Sequence, residues 1–129
     1  MHLAQILERG KFDALFFADT HGVYDPYLGS RDKYIETGLG IPNNDPAALI
    51  SALAYATRDL GFAFTSSILQ EQPFNFARKV STLDHLSKGR IAWNIVTTQF
   101  VNSATNFGLP DRPDHDTRYA WADEYVDVA

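Results

Sequence analysis

Apolar residues along the chain change their spacing in a regular order. Leu3, Ile6 and Leu7 recur at helical intervals and Gly10 is placed to end that helix, after which Asp13–Ala18 is a short apolar run that predicts a strand buried on both faces. Asp45–Pro46 supplies an N-cap and a proline at the first helical position. Leu49, Ile50, Leu53, Ala56 and Leu60 then form a helical stripe that stops at Gly61. Phe62–Ile68 predicts the next strand. A second stripe follows Pro73, through Phe76, Val80, Leu83 and Leu86, and is closed by Gly89. Arg90–Thr98 predicts a third strand, and after a polar loop containing Gly108, Pro110 and Pro113 a last helix follows with Tyr119, Ala122 and Val126 on its inner face. Residues 20–44 show no clear period and are rich in Gly, Pro, Asp and Tyr, which predicts a long insertion loop.

Helices alternating with strands imply an α/β fold with a parallel sheet, because parallel neighbours need a crossover and a helix is the usual one. A (β/α)₈ barrel and an open doubly wound sheet both satisfy that order. Neither strand-to-helix turn carries G-x-G-x-x-G or G-x-x-x-x-G-K, so local pattern does not choose between them.

Composition narrows the partners. The 129 residues are 45% hydrophobic and include nine phenylalanines, enough for one packed core and a single domain. A net charge of −5 with no Lys/Arg cluster speaks against nucleic acid. No run reaches the roughly 18 apolar residues of a membrane span, and Glu8 and Arg9 interrupt the opening stretch where a secretory signal would be apolar, so a cytoplasmic address is expected. The chain has no cysteine, which removes disulfides and thiolate chemistry.

Polar residues gather where the strands end: Asp19 after the first, Thr65, Ser66 and Ser67 in the second, Asn94, Thr97 and Thr98 in the third. Ligands of parallel α/β folds bind at the carboxyl ends of strands. A strand leaving the core is polar for that reason alone, and spacing leaves both readings open. Asp114–Tyr119 opens the last helix, and His115 and Tyr119, four apart, share one face and could grip one ligand. The alternative there is a helix cap followed by a core aromatic. His21 and His115 could ligate a metal, but without H-x-H or H-E-x-x-H no metal site is expected. His2 and His85 are read as solvent-facing and Trp93 and Trp121 as packing residues. Arg78, Lys79, Lys88 and Arg90 are read as a solvated face.

Five stretches together resemble the bacterial-luciferase-like flavin monooxygenases: Phe16–Asp19, Thr65–Ser67, Phe76–Arg90, Trp93–Thr98, and His115–Tyr119 followed by Ala122–Tyr125. Their order and spacing are similar to the nitrilotriacetate, pristinamycin and dibenzothiophene-sulfone monooxygenase branch over nearly the whole chain. That resemblance implies a (β/α)₈ barrel which takes reduced FMN from a separate flavin reductase, adds O₂ to it and transfers one oxygen atom to a small organic substrate. It also implies Asp19, Thr65, His115 and Tyr119 as flavin-contacting positions, with Asn94 lining the same cavity. No general base is assigned.

A closed barrel needs about 250 residues, so the chain is expected to be a partial barrel of three to four β/α units from the N-terminal half. Open sheet edges then predict self-association into a homo-oligomer. A non-catalytic, self-associating remnant with weak or no flavin binding is the alternative to a working monooxygenase. A deazaflavin-dependent oxidoreductase of the same superfamily is a third reading.

Overall fold

The alternation of stripes appears in space as a three-stranded sheet with helices packed on it. In the computed structural model, which describes residues 1–24 and 29–129, the order is α1 (His2–Arg9), β1 (Ala14–Phe17), α2 (Asp32–Thr37), α3 (Pro46–Tyr55), β2 (Gly61–Ser67), α4 (Pro73–Ser87), β3 (Ile91–Val96), α5 (Val101–Asn106) and α6 (His115–Val128). The strands lie in the order β1-β2-β3 and every pairing is parallel, with Phe17 opposite Phe64 and Thr65 opposite Asn94. The α/β class and its parallel sheet are therefore as the sequence implies.

Side chains alternate across a strand, so β2 sends Phe62 and Phe64 to one face and Ala63, Thr65 and Ser67 to the other. The first face carries the core. Phe62 and Phe64 are buried together with Ile50 and Ala54 of α3, Phe76 and Leu83 of α4, and Ala122 and Tyr125 of α6. Rings of Phe76, Trp93 and Tyr125 meet pairwise at centroid separations of 4.3 to 5.8 Å. Trp93 donates its indole N–H to Ser66 O, and Tyr125 donates its hydroxyl to Glu71 O. Burial, with the nearby Glu71 charge adding, pushes the Tyr125 phenol up to about 12.

Caps explain where the helices begin and end. Asp45 accepts from Ala47 N and Pro46 occupies the first turn of α3. α4 stops at Lys88, itself left-handed, with Gly89 N donating to Asp84 O.

Several expectations change. Residues 20–44 are not all loop: α2 lies within them, while residues 25–28 fall outside the described part. The loop expected before Gly108 contains α5. α3 ends at Tyr55 rather than running to Leu60, because the turn after it is held by two distant side chains. Glu8 accepts backbone N–H bonds from Arg58, Asp59 and Leu60, and Arg90 donates to the carbonyls of Ala54 and Leu60 and to Thr57 Oγ1. Arg90 is thus a structural clamp and not part of a solvated face.

β1 is not buried on both faces, since Phe16 is 56% exposed on the side opposite the helices. On α6 the inner face is Arg118, Ala122 and Tyr125, while Tyr119 and Val126 are exposed. The helix is turned by about one residue from the expected face, since Arg118 reaches carbonyls beyond the end of β3. Trp121 is 40% exposed, so of the two tryptophans only Trp93 packs into the core. Among the described residues no helix is long and apolar enough to cross a membrane.

Candidate functional site

Parallel pairing brings the carboxyl ends of all three strands to one end of the sheet, where the sequence places its polar residues. Just past the tip of β1, Asp19 accepts from Thr20 N at 2.8 Å and Asn43 Nδ2 at 3.1 Å, and lies 3.4 Å from His21 Nε2. Its side chain is 6% exposed. Burial raises its pKa above the ordinary carboxylate value, and the His21 ring and the Thr20 N–H pull the other way.

The chain after Asp19 is fixed by α5. Asn102 accepts from Val23 N and donates to Val23 O, and Asn106 donates to His21 O. A Cβ on Gly22 would stand 2.0 Å from Asn102 Oδ1 and 2.3 Å from Ser103 Oγ, so a larger residue would displace the asparagine that holds Val23. His21 meets Phe107 edge to face at 5.0 Å.

On the sheet face away from the helices, Thr65 donates its hydroxyl to Phe17 O and accepts from Asn94 Nδ2, each at 2.9 Å. The Thr65 proton is thereby committed and Thr65 itself is buried, leaving Asn94 Oδ1 as the acceptor the pair can offer.

Beyond β3, Thr98 adopts φ 65°, a left-handed conformation that β-branched residues rarely take. Its hydroxyl lies 2.5 Å from Ser67 Oγ. α6 is capped by Asp114, which accepts from both the hydroxyl and the N–H of Thr117, contacts that hold its carboxyl below the ordinary range. His115 stacks on Tyr119 with centroids 4.5 Å apart, and His115 Nδ1 lies 2.9 Å from Asp116 Oδ1.

These groups line three clefts. Asp19, His21, Asn43 and Asn106 border one of about 440 Å³. Asp19, His21 and Tyr24 face Ser67, Thr98 and Gln99 across a smaller one of about 150 Å³. His115, Arg118 and Tyr119 face Thr97 and Thr98 across one of about 540 Å³. The last two clefts share Val96, Thr98 and Gln99 as a common wall. Five candidate residues are therefore brought together as two pairs and a single residue: Thr65 with Asn94, His115 with Tyr119, and Asp19 across the β3 tip. Thr65 and Asn94 lie on the sheet face and border none of these clefts.

The sequence marks Thr98 only as a polar strand end and gives no role to Asn102 or Arg118. Arg118 lay inside a quoted motif, yet its acceptors are backbone carbonyls, which carry no side-chain signal.

The sequence model for luciferase-like monooxygenases matches residues 1–129. The chain belongs to that family. It is 55% identical over 126 residues to a long-chain alkane monooxygenase of Geobacillus thermodenitrificans strain NG80-2, covering 98% of this chain and 29% of that protein. A dimethyl-sulfide monooxygenase of Hyphomicrobium sulfonivorans is 48% identical, with 98% of this chain and 26% of that protein covered. Among solved structures, a long-chain alkane monooxygenase superposes with a TM-score of 0.93 at 54% identity. A riboflavin lyase with modified FMN and riboflavin does so at 0.88 and 44%; the matches cover 98% of this chain and 29% and 28% of those chains respectively. The luciferase-like chain thus spans under a third of these relatives, and its three parallel β/α units are a partial barrel.

Proposed function

We propose that this chain supplies part of the active site of a cytoplasmic FMN-dependent monooxygenase, using O₂ to oxygenate a small organic substrate, with reduced flavin delivered by a separate reductase. The observation that carries this reading is that hydroxyl, amide and imidazole groups stand at one end of a parallel sheet, as two separate pairs. Thr65 and Asn94 meet on the sheet face, and His115 and Tyr119 overlook the end of β3.

Hydroxyl, amide and imidazole groups match a flavin ring edge, which alternates donors and acceptors. The residues present fit one side of that group. Asn94 Oδ1, held in place by the buried Thr65, would accept, and the Tyr119 hydroxyl and His115 would meet the ring system from α6. Reduced FMN, when bound, supplies the electrons for O₂ activation; the side chains hold, orient and shield. Asp19, beside His21, would border the neighbouring cleft.

A second reading is favoured by Phe16, 56% exposed on the sheet face opposite the core. It holds that the chain is a non-catalytic, self-associating remnant, using the edges of β1 and β3 to pair with further copies.

Titrating the protein into FMN and following flavin fluorescence separates the two. Saturable quenching, weakened roughly tenfold in Thr65→Ala as one hydrogen-bonding contact is lost, supports the first. Unchanged fluorescence at high protein concentration overturns it, and elution above the monomer mass would then support the remnant.

A further inference from the structure

Arg118 is a charged side chain only 8% exposed, and among the described residues no carboxylate lies within ion-pair distance of it. A buried charge persists only where hydrogen bonds replace the water it has lost, so its acceptors indicate its role. Nε donates to Pro113 O at 3.1 Å. Nη1 donates to Thr98 O at 2.7 Å, Thr97 Oγ1 at 3.1 Å and Thr97 O at 3.4 Å.

These acceptors belong to one joint. Thr97 and Thr98 follow β3 directly, and Pro113 directly precedes the cap of α6, so the guanidinium ties together the two ends of the excursion that contains α5. The joint is also where the backbone is strained, at the left-handed Thr98. Two contacts hold that residue in place, the Ser67 hydroxyl on its side chain and Arg118 on its carbonyl.

His115 and Tyr119 flank Arg118 on the first turns of α6. Among the described residues neither ring hydrogen-bonds to β3; they contact each other and, for His115, Asp116. Their placement over Thr97 and Thr98 therefore depends on what fixes the helix beneath them.

We propose that Arg118 is the positioning residue of this site: by gripping the left-handed turn at Thr98 it sets where the His115–Tyr119 pair stands relative to the end of β3. Its value for catalysis rests on the flavin reading above, whereas the geometric claim does not. Planar, pre-organised donors suit a site with several carbonyl acceptors at fixed angles, which a lysine ammonium would satisfy only in part.

The test compares Arg118→Met and Arg118→Lys with Tyr125→Phe, which loosens the far end of the same helix by removing the bond to Glu71 O. Amide hydrogen exchange is followed residue by residue in the full chain. Arg118→Met is expected to speed exchange at 97–99 and 115–119 by roughly tenfold or more, through the loss of its charge-assisted hydrogen bonds, with β2 unchanged. Arg118→Lys should restore part of the protection. Tyr125→Phe should lower the melting temperature without touching those two segments. Wild-type exchange at 97–99 and 115–119 in Arg118→Met, or equal acceleration throughout β2, overturns the proposal. If the wild type quenches FMN, Arg118→Met should weaken that binding about tenfold, and unchanged affinity counts against the positioning role. If the wild type does not quench FMN, the flavin reading fails and the exchange pattern still decides the role of Arg118.

Discussion

The two faces of the sheet are built from the same three strands and have opposite surroundings. On one, Phe62, Phe64 and Trp93 meet Ile50, Phe76 and Tyr125 and lie in the core. On the other, Phe16 and Ala92 are exposed, while toward the strand ends Thr65 and Ser67 are buried and Thr65 bonds Asn94. Parallel sheets are normally covered on both sides. A partly open face fits a chain that spans under a third of the relatives it matches. Stability and candidate chemistry are consequently separated: the helix-covered face holds the fold together, and the strand ends and bare face carry the polar groups that could meet a ligand.

The largest expected effect comes from cutting into the covered face. Phe64→Ala removes a ring with no exposed surface and should lower unfolding free energy by about 3–5 kcal/mol, read by urea denaturation. Phe16→Ala, on the other face, should change it by less than about 0.5 kcal/mol. A loss comparable to that of Phe64→Ala would show that the bare face is covered in solution, as the self-associating reading requires.

Next in size is the clamp at the turn between α3 and β2. Arg90→Met strips the donors from the buried carbonyls of Ala54 and Leu60 and should destabilise by about 2–3 kcal/mol. Arg90→Lys should recover less than half of that, since an ammonium cannot reach both carbonyls and Thr57 Oγ1 in one plane. Full recovery would mean that charge, rather than fork geometry, holds the turn.

The smallest effect is a dependence on pH. Backbone N–H bonds to Glu8, led by that of Asp59 and joined by those of Arg58 and Leu60, hold its carboxyl below the ordinary value. A depressed carboxyl pKa adds stability above the unfolded value, and that stability is lost as pH falls through the folded one. Between neutral pH and about pH 3, Glu8→Gln should therefore show a shallower fall in melting temperature than the wild type. Parallel curves would remove Glu8 from the account of acid sensitivity.

Legibility follows from the range of the interactions concerned. The periodicity of Leu49, Ile50 and Leu53, the Asp45–Pro46 cap and the run Phe62–Ile68 are local signals, and they predict α3 and β2 correctly because helix and strand periods are local properties of the backbone. The pairing of Thr65 with Asn94 was legible only as two polar strand ends; register made them neighbours. α2 and α5 escaped because each is six residues long, too short to show a period, and α5 is held in place by its asparagines on the chain near Val23. The direction α6 faces was misjudged because an arginine looks polar from its neighbours in sequence, and only the carbonyls of Thr97 and Thr98 turn it inward.

The sequence by itself determined the alternation of the longer helices with three strands, the α/β class and the family, since these reside in spacing and in motifs that can be read without contacts. Only the tertiary structure decided that Arg90 and Arg118 are internal clamps, that Gly22 has no room for a side chain, and that Asp19 is divided from His115 by the wall of the β3 tip. Each of those depends on backbone groups brought together from distant parts of the chain, and a backbone carbonyl is the same in every residue until folding gives it a partner.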